Sequence, residues 1–399
     1  MTKALCVARH LKAAGCRVVL VETHKYYMVA SRFASCVDRF VTVPVPELEP
    51  KAFLSALKQL AYEEDADLFV PVSSPASSVY DARVASVLPS GCRSLSPGET
   101  WTAALDDKVT FNEMAKMAGL AAPDTRRLTS KGAALAFNAE LLAQGEAATK
   151  YIFKNLQYDS MRRLDLFTLP CEPAKLEAYM SDIDEISPNA PWAAQAFVTG
   201  QEYSTCAIAH EGTLTLYTAN AASISCFNYL HDDNPRMRAW VEKFCAHHKI
   251  NGVVCIDFFI DPADGEPRAI ECNPRFSSNI ANFYDSPTVA RALLEPETCV
   301  KQGIVETPLP TARETCWIGF ELYAALLVGK GLSVRQRLGL ALESLFVKKD
   351  AYFEPSDVLP FLALYYIHIP TLLVRNIRRG NTWAKIDLCI GKLTEVNGD

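Results

Sequence analysis

The stretch from Gly252 to Phe276 limits what this chain can become more than any other. It reads Gly252-Val-Val-Cys-Ile-Asp257-Phe-Phe-Ile-Asp261, then Pro-Ala-Asp264-Gly265-Glu-Pro, then Arg268-Ala-Ile-Glu271-Cys-Asn273-Pro-Arg275-Phe276. Two apolar runs around an Asp-Gly turn predict a β-hairpin. Closed symmetrically about Asp264, it sets Asp257 opposite Glu271 and Cys255 opposite Asn273. Like charges facing each other across a strand pair destabilise it. Asp257 also stands in a strand that is otherwise apolar on both faces, so its carboxylate is expected to be largely buried and to need a partner. A divalent cation resolves both problems. Glu271, Asn273 and Arg275 follow at i, i+2 and i+4 and so share one face of the second strand. That face carries two oxygen ligands and a cation. Oxygen-only ligation suits Mg²⁺, which takes few protein groups and completes its shell with water and nucleotide phosphates. Arg275 then suits a phosphate or an anionic substrate. The plainer reading, a hairpin with a Glu271–Arg275 ion pair, leaves Asp257 without a cation.

A chain of 399 residues is long enough for two or three domains with ample core. Its net charge of -6 and pI near 5.8 give no basic footprint for nucleic acid. The 13 cysteines form no CxxC pair and no Cys/His cluster at zinc spacing. Several, such as Cys206, Cys255 and Cys389, lie in apolar runs where Cys acts as a small hydrophobe. A reduced, cytoplasmic protein is expected. The N-terminus has neither a long apolar segment nor a small-residue cleavage site, which argues against a signal peptide.

Residues 1–105 alternate helical and strand patterns. Lys3 to Ala14 reads as a helix, Arg17 to Glu22 as a strand and Pro50 to Glu64 as a helix. Ala66 to Ser73 then reads as a buried strand and Ser77 to Leu88 as a helix. This order predicts βαβ units and a parallel sheet. The chain opens on a helix where such a sheet ordinarily begins with a strand and a glycine turn, so an upstream strand is expected to be missing. The loops Thr23-His24-Lys25-Tyr26 and Ser73-Ser74-Pro75 fall at the carboxyl edge, where α/β sheets bind ligands. An ordinary polar loop is the competing reading of His24, Lys25 and Tyr26.

From 106 to 200 the texture changes. Asp106-Asp107-Lys108 should cap a helix running to Leu120. A strand from Asp124 to Leu128, a helix, and the short strand Lys150-Tyr-Ile-Phe-Lys154-Asn155 follow. Lys154 in that apolar strand is either an edge-strand guard or a point charge for a phosphate. Trp192 to Ser204 supplies a strand, a glycine break at Gly200 and the start of another strand. Residues 203–225 alternate as strands around His210-Glu-Gly212, and 234–249 read as a helix ahead of the hairpin.

Lys108 after an acidic pair, Lys154 in a strand, Gln195 to Val198, Gly200-x-Glu202, Asp257 and Glu271-x-Asn273-Pro-Arg275 occur in the order seen in ATP-grasp carboxylate-amine ligases, which the chain resembles. The resemblance implies an α/β fold with α+β subdomains. These would be an N-terminal parallel-sheet domain (1–105), a small lid (106–200), a catalytic antiparallel sheet (201–300) and a helical C-terminal extension (301–399). It implies that Lys108 and Lys154 contact ATP phosphates, with Ser160 among the nucleotide contacts. Gln195, Ala196, Phe197 and Val198 would form the hinge that reads adenine through its backbone, and Glu202 would hold the ribose hydroxyls. Asp257, Glu271 and Asn273 would bind Mg²⁺, or Mn²⁺ in its place.

A closer likeness runs from Met1 to Cys389-Ile-Gly-Lys-Leu. Thr23-His-Lys-Tyr26, Arg32-Phe33, Val37-Asp-Arg-Phe40, Tyr158-Asp-Ser160-x-Arg162-Arg163-Leu and Glu271-Cys-Asn-Pro-Arg275 are similar to the mycosporine-glycine synthases. These are the ATP-grasp enzymes of mycosporine-like amino acid biosynthesis, which join an amino acid, usually glycine, to the cyclohexenone 4-deoxygadusol. The likeness implies a cyclohexenone and an amino acid as small-molecule partners. Arg275, Arg162 and Arg163 become catalytic candidates, and His24, Tyr26, Ser73, Ser74, Tyr158 and Asn279 substrate candidates. Two departures stand out. Charged residues from Tyr158 to Arg163 replace the glycine-rich loop of many ATP-grasp enzymes, and the family's first strand and Gly-Gly turn precede the point where this chain opens.

Val358 to Val374 is an apolar run broken by Pro360, His368 and Pro370 and followed by Arg375, Arg378 and Arg379. A spanning helix needs about 20 apolar residues. A helix buried against the body is expected, with an interfacial anchor held by the arginines as the alternative. The sequence leaves the oligomeric state open, a dimer being one option. Three functions compete: this ligase reaction, a peptide or D-alanyl-type ligation of a true carboxylate, and nucleotide binding without chemistry. The complete set of Asp257, Glu271, Asn273 and both lysines favours turnover, because a mere binder has no need of it.

Overall fold

The computed structural model describes residues 1–159, 162, 165–222, 228–325, 333–389 and 391–395. Helix α1 (Thr2–Ala13) leads into β1 (Val19–Thr23), which pairs in parallel with β2 (Arg39–Val43). Helix α2 (Pro50–Glu63) leads into β3 (Leu68–Phe69), and α3 (Ser78–Val84) carries the chain to its parallel partner β4 (Arg93–Ser94). Parallel neighbours need a long crossover connection, a helix between β3 and β4 and residues 24–38 with two 3-10 turns between β1 and β2.

The strand expected over Ala66 to Ser73 is cut to two residues, and the sheet stands as two separate parallel pairs. Pro71, which has no N–H to give a ladder, accounts for the early end. A cavity of about 240 Å³ lies between the pairs, lined by every residue from Arg17 to Thr23 and from Leu68 to Ser74. Side chains of a strand alternate between faces. Two unbroken runs can therefore line one cavity only if it meets both strands edge-on. Ala4, Val7, Ala8 and Leu11 close it from one face of α1. The Met1 ammonium is buried in this wall, and burial lowers its pKa to about 5.

Helices α4 (Glu99–Asp106) and α5 (Lys108–Met117) meet at Asp107. Its carboxylate caps α5 as expected, accepting from the Val109 and Thr110 amides at 3.1 and 2.9 Å. Next come β5 (Thr125–Leu128), α6 (Lys131–Ala143), β6 (Tyr151–Asn155), β7 (Thr168–Leu169), α7 (Pro173–Ser181) and β8 (Trp192–Ala196). The four strands form an antiparallel sheet in the order β5-β8-β6-β7, packed through Phe153 and Trp192 onto Phe137 and Leu141 of α6 and Leu176 and Met180 of α7.

The largest sheet is antiparallel, in the order β10-β9-β11-β12. It is built from β9 (Gln201–His210), β10 (Thr213–Ala221), β11 (Gly252–Ile260) and β12 (Pro267–Asn273). Helix α8 (Pro235–His248) covers one face, where Trp240 and Phe244 meet Ala207, Val254, Ile256 and Phe258. The alternate residues Cys206, Ile208, Val253 and Cys255 face the other side, against Val7 of α1 and Phe276, Phe283 and Val289. Burial on both faces explains why β11 reads as one apolar run and makes Asp257 its exception. The register pairs Asp257 with Glu271 and Cys255 with Asn273, as symmetric closure predicts. One residue slips beyond that point: Phe258 faces Ala269, which leaves Ile270 as a bulge.

Leu359–Ala363, Leu364–His368 and Ile369–Arg379 form one helical run with a π-turn at its centre. Ala363 and Leu364 pack with Leu5, Ala8 and Trp317. His368 lies 2.7 Å from the Gly391 carbonyl. The inner side of the run is therefore buried against the body.

Gly200 joins the small sheet to the large one at φ +127, and a Cβ there would lie 2.0 Å from the Ile260 carbonyl oxygen. Both the conformation and the approach exclude a side chain. Gly200→Ala should lower the free energy of unfolding by about 2 kcal/mol or more, measured by denaturant titration.

Candidate active site

The two facing carboxylates define the site. Both keep some solvent contact, so Asp257 is less buried than its strand suggested. Burial, and then the Glu271 charge, push the Asp257 carboxyl well above the usual range. Lys108 holds Glu271 far below it, with Lys154 adding to the effect. The two shifts run in opposite directions, so the surroundings favour the charged form of Glu271 and disfavour that of Asp257. The Lys108 Nζ sits 3.0 Å from Glu271 Oε2. Burial works against that ammonium, yet the charge and hydrogen bond of Glu271, with the Asp106 charge, together outweigh it and the Lys108 pKa is raised.

Helix geometry delivers Lys108. Because Asp107 is the cap, Lys108 is the first residue of α5 and stands at the junction with α4. Asp106 and Asp107 are used as well. Arg275 Nη1 donates to Asp106 Oδ1 at 3.1 Å, and its Nη2 to Asn273 Oδ1. Arg127 of β5 donates to Asp107 at 2.7 Å. The plainer reading, a Glu271–Arg275 ion pair, gives way to Glu271–Lys108 and Asp106–Arg275. Asn273 completes the set by donating to Asp257 Oδ2 at 3.2 Å.

Lys154 reaches the same place from the small sheet. Its Nζ donates to Gln195 Oε1 at 3.2 Å, and Gln195 Nε2 donates to the carbonyl of the bulged Ile270 at 2.8 Å. Burial lowers the Lys154 pKa, against the pull of Glu271, Glu202 and Asp257. Glu202, paired with Phe259 across β9 and β11, has its pKa raised by burial and by Glu271. Beyond Gln195, the Ala196 amide donates to the Asp124 carbonyl at 2.7 Å and the Phe197 amide to the Lys150 carbonyl at 2.8 Å. Phe197 is exposed, and Val198 follows it toward Gly200. Lys108, Lys154, Gln195, Glu202, Asp257, Glu271, Asn273 and Arg275 are therefore gathered into one cluster.

Of the remaining residues, Asn279 approaches the carboxylates through Ser204, which pairs with Asp257 across β9 and β11. Arg162 contacts Asp159, the Asp182 carbonyl and the Tyr179 ring, all within the small-sheet unit, and is not brought to the hairpin. Tyr158 is half-buried in the same segment; Ser160 and Arg163 lie outside the described residues. Asn279 is buried and donates to the Asn220 side chain at 2.8 Å and to the Ser204 carbonyl at 3.1 Å. Tyr26, Ser73 and Ser74 share the wall of the 240 Å³ cavity. His24 is exposed, 2.9 Å from Thr42 Oγ1.

Would a metal fit? No group of three or more His, Cys, Asp and Glu gathers among the described residues. The donor set is two carboxylates and an amide oxygen, and one carboxylate is already held by an ammonium. Such a hard, oxygen-only set matches Mg²⁺.

Lys3 escaped the sequence reading. It is buried, and its ammonium donates to the Ser73 carbonyl at 2.5 Å and to the Phe276 carbonyl at 2.9 Å. It thus ties the Ser73–Ser74 loop to the residue after Arg275. Its one signal in sequence is a charge on the apolar face that includes Val7. Burial lowers its pKa from 10.5 to about 7. Between those values the unfolded chain binds the extra proton, so the fold gains stability as pH rises. Lys3→Met removes this dependence. The stability of the wild type relative to Lys3→Met should therefore increase across that window in denaturant titrations. A flat difference would show that Lys3 titrates normally.

No protein-family profile matches the chain, and no curated protein matches it in sequence. Solved structures do match its fold. The biotin carboxylase domain of Hydrogenobacter thermophilus 2-oxoglutarate carboxylase, solved with MgADP, ADP and bicarbonate, aligns at TM-score 0.53 and 14% identity, covering 70% of this chain and 64% of that one. An ADP complex of N5-carboxyaminoimidazole ribonucleotide synthetase aligns at 0.53 and 15%, covering 73% and 74%. The L-amino acid ligase of Bacillus licheniformis aligns at 0.50 and 14%, covering 72% and 71%. The chain spans less than two thirds of the first of these structures. Their common fold, and the succession of N-terminal parallel pairs, small antiparallel sheet and large antiparallel sheet along the sequence, lead to one conclusion: this chain has the ATP-grasp fold.

Proposed function

We propose that the protein is an ATP-dependent ligase that joins glycine, or a similar amino acid, to 4-deoxygadusol and releases ADP and phosphate. The observation that carries the ligase reading is the convergence of Lys108, Lys154, Asp257, Glu271, Asn273 and Arg275 in one cluster. The substrate rests on the likeness of the Thr23–Tyr26, Tyr158–Leu164 and Glu271–Arg275 motifs to mycosporine-glycine synthases.

The chemistry suits the groups present. A 1,3-diketone enol is a vinylogous carboxylic acid whose oxygen leaves poorly as hydroxide. Transfer of the ATP γ-phosphoryl group to that oxygen makes it a good leaving group; the amine then adds at the vinylogous carbon, and phosphate departs to give an enaminone. Asp257, Glu271 and Asn273 would hold Mg²⁺, which when bound neutralises nucleotide phosphate charge. Lys108 and Lys154 hold phosphate, as cations already placed against the carboxylates. Arg275, fixed by Asp106 and Asn273, is directed at the transferring phosphoryl group. The hinge from Gln195 to Val198 takes the adenine and Glu202 the ribose. Tyr26, Ser73 and Ser74 contribute to the acceptor side, which Lys3 joins to the Arg275 loop.

Two measurements address the nucleotide side. Glu271→Gln keeps the shape of the side chain and removes the charge that balances Lys108. Mg-ATP turnover should fall by about 100-fold or more with the circular dichroism spectrum unchanged; an unaltered kcat would remove Glu271 from the site. Lys154→Met keeps the apolar stem, so it should weaken ATP while leaving adenosine nearly unaffected. Equal losses would return Lys154 to a packing role.

The acceptor is tested directly. Purified protein with ATP, Mg²⁺, 4-deoxygadusol and glycine should give an enaminone chromophore, followed by ultraviolet absorbance, with ADP in equal amount. Dipeptide formation from D-alanine, with no reaction of the cyclohexenone, would overturn the substrate and favour a carboxylate ligase. ATP binding with no turnover on either acceptor would point to a binding module.

A further inference from the structure

The helical run from Leu359 to Arg379 is apolar on two sides. Pro360, Ala363, Leu364, His368, Leu372 and Asn376 form its buried inner face. The outer face presents Leu359, Leu362, Tyr366, Pro370, Val374 and Ile377, all exposed. Steps of three and four residues place these on one stripe. Tyr366 is 76% exposed and Ile377 65%. A helix on the surface of a water-soluble domain ordinarily turns polar residues outward.

Positive charge borders this stripe. A groove of about 590 Å³ runs between the helix and the 25–28 segment, and Lys25, Arg375, Arg378 and Arg379 line it. None of its lining residues is acidic, although the chain as a whole carries a net charge of -6. Arg375 is held in place, donating to the Lys25 carbonyl at 2.5 Å and lying 5.3 Å from the centre of the Tyr26 ring. Arg378 and Arg379 are exposed at the end of the helix. The helix Val334–Phe346 repeats the pattern, with Val334, Leu338, Leu342 and Phe346 exposed at four-residue steps and Arg335 and Arg337 among them.

We propose that this face docks on the surface of a membrane that contains anionic lipid. The stripe enters the boundary between headgroups and acyl chains, and the arginines and Lys25 meet lipid phosphates and carboxylates. Among the described residues no helix is long and apolar enough to cross a membrane, so the helix lies along the surface. Charge separates this occupant from a second copy of the chain. A two-fold contact through the same face brings arginines toward arginines, with no carboxylate in the groove to meet them.

Co-sedimentation of the full chain with vesicles is the test. It should pellet with phosphatidylcholine vesicles that contain phosphatidylserine and remain in solution with phosphatidylcholine alone, and binding should weaken as salt is raised. Replacing Arg378 and Arg379 with Glu should reduce the partition coefficient by at least about tenfold, since each basic residue at an anionic surface contributes roughly a fivefold factor. Tyr366→Asp combined with Ile377→Asp should reduce it comparably through the stripe. All four substitutions lie outside this cluster, so Mg-ATP turnover and the circular dichroism spectrum should match the wild type. The proposal fails if the wild-type chain ignores anionic vesicles at low salt, or if binding survives both pairs of substitutions. It also fails if the chain is a dimer that Ile377→Asp dissociates while vesicles go unbound, which would identify a second copy as the cover.

Discussion

Two carboxylates face each other across a strand pair, and much of the surrounding structure serves to let them do so. Asp257 and Glu271 cannot both be charged at such close range without a cation. The protein answers with the Lys108 ammonium on Glu271 and with surroundings that disfavour a second charge on Asp257. Breaking one side of such a partly buried arrangement leaves an uncompensated charge, which is far costlier than losing an exposed ion pair.

Three consecutive residues tie this pair to the rest of the molecule. Asp106 holds Arg275, Asp107 caps α5 and holds Arg127 of the small sheet, and Lys108 holds Glu271. A second tie runs from Lys154 through Gln195 to the carbonyl of Ile270. That carbonyl belongs to the residue bulged out of the hairpin ladder, so the irregularity supplies the acceptor that the small sheet uses. Any shift of the small sheet relative to the large one therefore moves Lys154 and Gln195 against the carboxylates.

Sequence reasoning reached much of this where a local rule sufficed. The Asp-Gly turn and the flanking apolar runs set the hairpin register, and the acidic pair before Lys108 marked the helix start. It was less informative where partners come from distant parts of the chain. The shared strand face offered Glu271 as the nearest carboxylate for Arg275, with a phosphate or anionic substrate as the favoured partner, yet Asp106, which is remote in sequence, takes its guanidinium. Lys3 gave almost no signal, since its partners are backbone carbonyls of Ser73 and Phe276.

The sequence by itself determined the strand alternation, the helix caps and the facing of Asp257 and Glu271, because each depends on residues a few positions apart or on one turn. Only the tertiary structure decided which cation neutralises which carboxylate, where the N-terminal sheet divides, and that the helix at Leu359–Arg379 buries one apolar side while leaving the other in solvent. Those outcomes depend on which elements pack together in space. Hydrophobic spacing records that a face is apolar, not what will cover it.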